Sequence, residues 1–269
     1  MLLSVGSGLF YVLIALGVVA VSLVAAWLVL TYTALRPPFD FGAVDGLVGI
    51  VYGILLAILV LFASTHYTAA INDTNREATS LNDMYKAAGP LKEPLRSTLR
   101  HEIVCYARET IEDEWPKLQK SNGAGSPVVF ARTRQLSSTV EDVTAANPTN
   151  LTISTLFNAN LSRGEARQLM LEDSRPQIPA PLWLVVLIGI GLVVFLLSIR
   201  YWENKAHLVI GLVTSLALLV AMVGAIAELD RPFAPVIGLK PAAMESVLTS
   251  VVQSSANSAG ALAPCKSAE

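Results

Sequence analysis

The sequence predicts an all-α membrane protein: four transmembrane helices, with an all-helical cytosolic domain inserted between the second and third. Three observations carry this. Only 15% of the 269 residues are charged while 53% are hydrophobic, whereas an ordinary soluble domain is about 25% charged. The missing charge is concentrated, because residues 2–35, 46–72, 178–199 and 208–227 hold no Asp, Glu, Lys or Arg. Between the second and third of these runs the chain turns polar, with basic and acidic residues nearly balanced and no alternating pattern that would support a strand.

A hydrocarbon core about 30 Å thick takes about 20 residues at a rise of about 1.5 Å each. Backbone polar groups in lipid must be satisfied within the segment, so each run is read as a helix. The spans fall at about 9–30, 46–63, 182–199 and 208–226. The first is read as a retained span, since positions 2–8 lack Lys and Arg and the apolar run is too long for a signal peptide. Phe10, Tyr11 and Trp183 fall near one interface, and Trp27, Tyr32, Tyr201 and Trp202 near the other. Pro181 falls in the first turn of the third span, where its missing N–H costs nothing. The chain therefore divides into 1–64 (two spans), 65–177 (soluble domain), 178–227 (two spans) and 228–269 (interfacial segment and tail).

An even number of spans places both termini and the large domain on one side. That side carries Arg76, Arg163, Arg167, Arg175, Arg231 and Lys240, against Arg36, Arg200 and Lys205 on the other. The positive-inside rule makes the domain side cytoplasmic, at the cell (inner) membrane. A net charge of −2 gives no reason to expect nucleic acid. Cys105 and Cys265 match no disulfide framework and no metal spacing, and both are expected reduced.

Within the soluble domain, 68–88 continues the second span as a helix ending at Gly89-Pro90. A second helix runs from Glu93-Pro94 to Trp115, with Leu95, Leu99, Ile103, Tyr106 and Ile111 on one face, and Pro116 ends or bends it. Residues 122–127 form a loop. Helices over 128–146 and 149–173 follow, with Leu156, Leu169 and Met170 as core candidates of the latter. Residues 241–253 suit a short amphipathic helix before a loose Ser/Ala-rich tail.

No catalytic motif, phosphate loop or metal-binding pattern is present, so neither an enzyme nor a cofactor is expected. The acidic group Glu109, Glu112, Asp113, Glu114 reads as a solvated helix face rather than a cation site. The uncharged span centres argue against pumps and proton relays, but a passive conduit needs no buried charge. In the second span, Gly46, Gly49, Gly53 and Ala57 form a small-residue stripe suited to helix packing. The adjacent face, Tyr52, Leu56, Leu59, Ala63 and His66, is the candidate pore lining, with Leu56 and Leu59 as an apolar neck. After the fourth span, Pro232 stops the helix and Phe233 reads as a lipid anchor.

The residues Glu77, Leu81, Tyr85, Tyr106, Glu114-Trp115-Pro116 and Asp230-Arg231-Pro232-Phe233, in this order and spacing, resemble the bestrophin-like DUF4239 family of membrane proteins over about residues 45–253. Where that family often has Gly after the Pro-Phe pair, this chain has Ala234. The resemblance implies a homo-oligomer, pentameric as in true bestrophins, embedded in the lipid bilayer and passing small inorganic ions, anions by analogy of fold. The expected function is an ion channel with the second span lining the pore. The alternative is a non-conducting scaffold or signalling subunit that docks a partner through its cytosolic helices.

Overall fold

The computed structural model describes residues 7–32, 43–120, 123–146, 151–201, 205–234 and 238–254 together with Cys265. Every regular element among them is helical: α1 (Ser7–Tyr32), α2 (Ala43–Ala87), α3 (Leu95–Glu109), a π-helical turn (Thr110–Glu114), α4 (Trp115–Lys120), α5 (Pro127–Ala146), α6 (Leu151–Asp173), α7 (Ala180–Arg200), α8 (Lys205–Leu229) and α9 (Ala242–Ser254). Four of these, α1, α2, α7 and α8, are long and apolar enough to cross a membrane. Residues 33–42 of the connection expected over 31–45, the interfacial Trp202 and the loose tail apart from Cys265 lie outside the described residues.

Local chemistry accounts for the element ends. From Ile54 to Ala88 the chain has neither Pro nor Gly, so α2 runs for 45 residues until Gly89-Pro90 stops it. Pro127 opens α5, where a missing N–H is harmless. Pro116 does not end its helix: α4 continues to Lys120. A proline here cannot donate to the preceding turn and its ring crowds that turn's carbonyl, and the chain answers by widening Thr110–Glu114 into a π turn.

Two units divide the chain, one made of Met1–His66 with Pro176–Asp230, the other of Tyr67–Arg175 with Arg231–Glu269. The segment after Asp230 thus groups with the helices of 67–175. In the first unit, α1, α7 and α8 pack on one another, and the apolar half of α2 adds Tyr52, Leu56, Leu59 and Ala63 to the same core. The closest approaches fall at two glycines of α7. A Cβ at Gly189 would lie 2.2 Å from the Tyr52 ring, and one at Gly191 would lie 3.1 Å from Ser22 Oγ on α1. Even in α7, the best covered span, only 33% of the apolar window is buried by the chain itself. The remaining surface is suited to lipid or to further copies.

In the second unit, Ala78, Leu81, Met84 and Tyr85 of α2 pack with Leu99, Ile103 and Tyr106 of α3, Leu136 and Val140 of α5, Leu156 of α6, and Met244 and Val251 of α9. Leu156 and Met170 are core residues as expected, but Leu169 is exposed, because the inward stripe of α6 runs through Ile153, Leu156, Asn160, Arg163, Arg167 and Met170. Phe233 is not a lipid anchor. It is buried with Ala70, Trp115, Leu118 and Met170 and meets Trp115 edge-on at 5.3 Å. The expectation of two reduced cysteines also differs from the structure, in which Cys105 and Cys265 are joined as a disulfide. Spacing could not suggest this bond, since 160 residues separate the partners.

Candidate functional site: the second helix and a buried charge cluster

The apolar half of α2 presents two unlike faces. Tyr52, Leu56, Leu59 and Ala63, which the sequence offers as pore lining, are buried inside the chain, and Tyr52 donates its hydroxyl to the Val186 carbonyl of α7 at 2.9 Å. His66, one turn on from Ala63, is half-buried. Within the protomer this face is spent on packing with residues of α1, α7 and α8. The face expected to pack, Gly46, Gly49, Gly53 and Ala57, is the exposed one, and a Cβ added at any of its three glycines would meet nothing within 4 Å. The reason is size. In lipid no withdrawal from water separates the two faces, and packing decides: the Tyr52 ring fills the space that Gly189 of α7 leaves. Beside the small stripe, Ile50, Ile54 and Leu61 are exposed too.

The polar half of α2 carries Glu77 into a sealed cluster with Tyr106 of α3, Glu114 of the π turn, and Arg163 and Arg167 of α6, none more than 3% exposed. Tyr106 donates its hydroxyl to Glu77 Oε1. Arg167 spans both carboxylates: Nη1 and Nη2 donate to the two oxygens of Glu114, Nη2 at 2.5 Å, and Nη1 stands 4.0 Å from Glu77 Oε1. Arg163 stacks over the Tyr106 ring at 4.8 Å and donates to Asn160 Oδ1 at 2.9 Å. The Ser126 backbone N–H donates to Glu114 at 3.2 Å, and Gly125 leaves the room, since a Cβ there would lie 2.9 Å from that carboxylate.

The electrostatics follow from burial. Loss of water pushes the Glu77 carboxyl above the ordinary carboxylate range, with Arg167 pulling it back and Glu114 pushing it further up. Burial likewise raises the Tyr106 phenol, and the neighbouring Glu77 adds to it. Burial works against the Arg167 charge, but Tyr106, Glu114 and Glu77 outweigh it and hold the guanidinium charged. A second ion pair lies alongside, where Arg132 of α5 meets Glu109 through two bonds of 2.6 and 3.0 Å. The acidic group is therefore not a solvated face: Glu109 and Glu114 are ion-paired inside, Asp113 meets Lys117 at 2.7 Å, and Glu112 alone of the four is exposed. Among the described residues, no three of His, Cys, Asp or Glu converge as a metal site.

The sequence motifs thus separate into distinct jobs. Glu77, Tyr106 and Glu114 meet in the cluster. Trp115 and Phe233 form the aromatic lock, with the indole N–H of Trp115 donating to the Leu239 carbonyl at 2.9 Å. Asp230 is elsewhere, accepting the backbone N–H groups of Gln177 and Ile178 at 2.9 Å each, where the chain enters α7. Pro232 turns the chain, its carbonyl accepting from Leu239 N–H at 2.7 Å. Arg231 is half-buried between them. Tyr85 is buried under the Arg100 guanidinium, 4.5 Å from its ring centroid. In the sequence Arg163 and Arg167 stand only as charges near the membrane. Their signal was nonetheless present: both sit on the inward three-and-four stripe of α6, where a charge must find a partner.

The model of the Bestrophin-like domain matches residues 16–244. The chain belongs to the Bestrophin-like family. Solved structures agree in fold. Two mutant forms of a bacterial Bestrophin homolog from Klebsiella pneumoniae superpose with TM-scores of 0.69 and 0.68 at 12% identity. They cover 93% and 91% of this chain and 100% and 97% of theirs. A further structure, described as a membrane protein, gives 0.65 at 12% identity over 97% of this chain and 100% of its own. Among individually curated proteins, none matches by sequence. In this Bestrophin-like chain the buried charge cluster joins α2, α3, the π turn and α6.

Proposed function

We propose that the chain assembles with copies of itself, five in the arrangement the bestrophin resemblance implies, into a membrane channel for small inorganic ions, with the unit of 67–175 on the cytoplasmic side. Family and fold support the channel class. The observation that carries the lining assignment is the division of α2: its Tyr52–Ala63 face is buried in the core of the first unit, while Gly46, Gly53 and Ala57 and the neighbouring Ile50, Ile54 and Leu61 remain open.

In this reading the small stripe takes the backbone of an adjacent copy, since glycines allow close helix approach. Ile50, Ile54 and Leu61 then face the axis as an apolar constriction, a form of gate that needs no charge in the span. Anion preference is an analogy of fold and follows from no residue of α2. Purified protein in liposomes under a salt gradient tests the reading. A current carried by the wild-type chain supports it, and tight vesicles at high protein content favour the non-conducting scaffold.

A further inference from the structure

The disulfide lies in a setting built for exchange. Cys105, on α3, is fully buried, whereas Cys265 is partly exposed, so a reagent from solvent meets one sulfur only. The sulfur behind it is 3.6 Å from His101 Nε2, and the one in front is 3.7 Å from Arg108 Nη1. A nearby imidazole or guanidinium stabilises a thiolate, and thiolate stability governs both attack and departure in thiol–disulfide exchange. Residues 255–264 separate Cys265 from Ser254, the last residue of α9. The bond therefore closes a loop between α3 and the end of α9, a helix that otherwise rests on the core through Met244, Val247 and Val251. On the cytoplasmic side that the proposed function gives this unit, on which the inference rests, disulfides are characteristically transient and redox-sensing.

We propose that Cys105–Cys265 is an exchange site for a dithiol reductant and that its cleavage releases the covalent tie on α9. The reductant's thiolate attacks Cys265 Sγ. A new S–S bond forms there, the Cys105–Cys265 bond breaks, and its electron pair departs on Cys105, where the His101 ring meets it. The second thiol of the reductant, as thiolate, attacks its own sulfur in this mixed disulfide and expels Cys265 beside Arg108. The reductant ends as a disulfide, two electrons have moved to the protein, and the two protons given up by the dithiol end on the two cysteines. This is independent of whether the chain conducts.

The test uses the full chain, purified in detergent without reductant, treated natively with dithiothreitol, stopped with acid, and then unfolded and labelled with a maleimide–polyethylene glycol. Before treatment no adduct is expected, and after it two. Native reduction should proceed within about tenfold of the rate in the detergent-unfolded chain, and His101→Gln should slow it about threefold to tenfold. Hydrogen exchange over Ala242–Ser254 should rise on reduction. Two adducts before treatment would show that the bond does not form. Reduction only after unfolding would make it a buried staple, an unchanged rate in His101→Gln would remove the assigned leaving group, and unchanged exchange in α9 would remove the release. The Cys265→Ser chain, in which Cys105 should take one label after unfolding with or without treatment, checks that labelling reads free thiols.

Discussion

Arg167 and Glu114 face each other through two parallel N–H···O bonds in a space that water does not reach, with Glu77 beyond them on a third helix. Two acids and two guanidiniums sharing one dry site is costly to assemble and more costly to leave incomplete. Removing one member of a buried pair typically costs about 3–5 kcal/mol, because the survivor stays charged without a partner.

Arg167→Met should therefore lower the stability of the detergent-purified protein by about 3 kcal/mol or more. Adding Glu114→Gln to Arg167→Met should recover part of that loss. Thermal unfolding of the two variants checks this. A single variant within about 0.5 kcal/mol of wild type, on the scale of surface substitutions, would contradict the pairing.

Glu77 makes a prediction about pH. Its carboxyl titrates in the folded state above the usual 4.5, so its protonated form is the one the fold favours. The stability it contributes is fully present below about 4.5 and is lost as pH rises through the raised value. Glu77→Gln keeps an acceptor for the Tyr106 hydroxyl and removes the titration. Its melting temperature relative to wild type should climb as pH is raised from 4.5; a difference flat with pH would contradict the assignment.

The glycines of the spans should not be equivalent. Gly189→Ala forces a methyl into the Tyr52 ring and should destabilise by about 1–3 kcal/mol, as overpacking does. Gly53→Ala meets no neighbour within the protomer and, measured on detergent-dissociated protomers, should leave stability unchanged or improved. Thermal shift of the two variants separates the cases, and equal losses would place α2 and α7 differently from the structure.

Phe233→Ala reports where that ring lies. In the Trp115 core the change should cost about 3–5 kcal/mol, the usual range for a deleted buried aromatic. A residue immersed in lipid would lose little, so a melting temperature equal to wild type would return Phe233 to the bilayer.

Much of the fold is legible in the sequence because it rests on one strong term, the transfer of long uncharged runs into lipid. Breakers are legible too: Gly89-Pro90 ends α2 where expected, while Pro116 widens a helix that its neighbours hold on both sides. The faces of α2 are not legible, since a stripe of glycines and a stripe of leucines are both apolar, and only the position of α7 decides which is covered. Glu114 escapes for a related reason. Among four acids in one short run, the π turn selects which face inward, and that turn depends on Pro116 and on an arginine more than 50 residues downstream. The disulfide is least legible, because two cysteines without a pattern carry no partner information.

Which face of α2 meets the ion path decides how the channel is lined. Single cysteines at Ile54, Leu61, Tyr52 and Leu56, introduced into a Cys105→Ser, Cys265→Ser background, can be probed with a membrane-impermeant methanethiosulfonate while current is recorded from reconstituted protein. Modification at Ile54→Cys and Leu61→Cys should change the current, and the reagent should leave Tyr52→Cys and Leu56→Cys as they were. Current altered only in the latter pair would contradict the structure's division of the helix and return the conduit to the face now buried against α7.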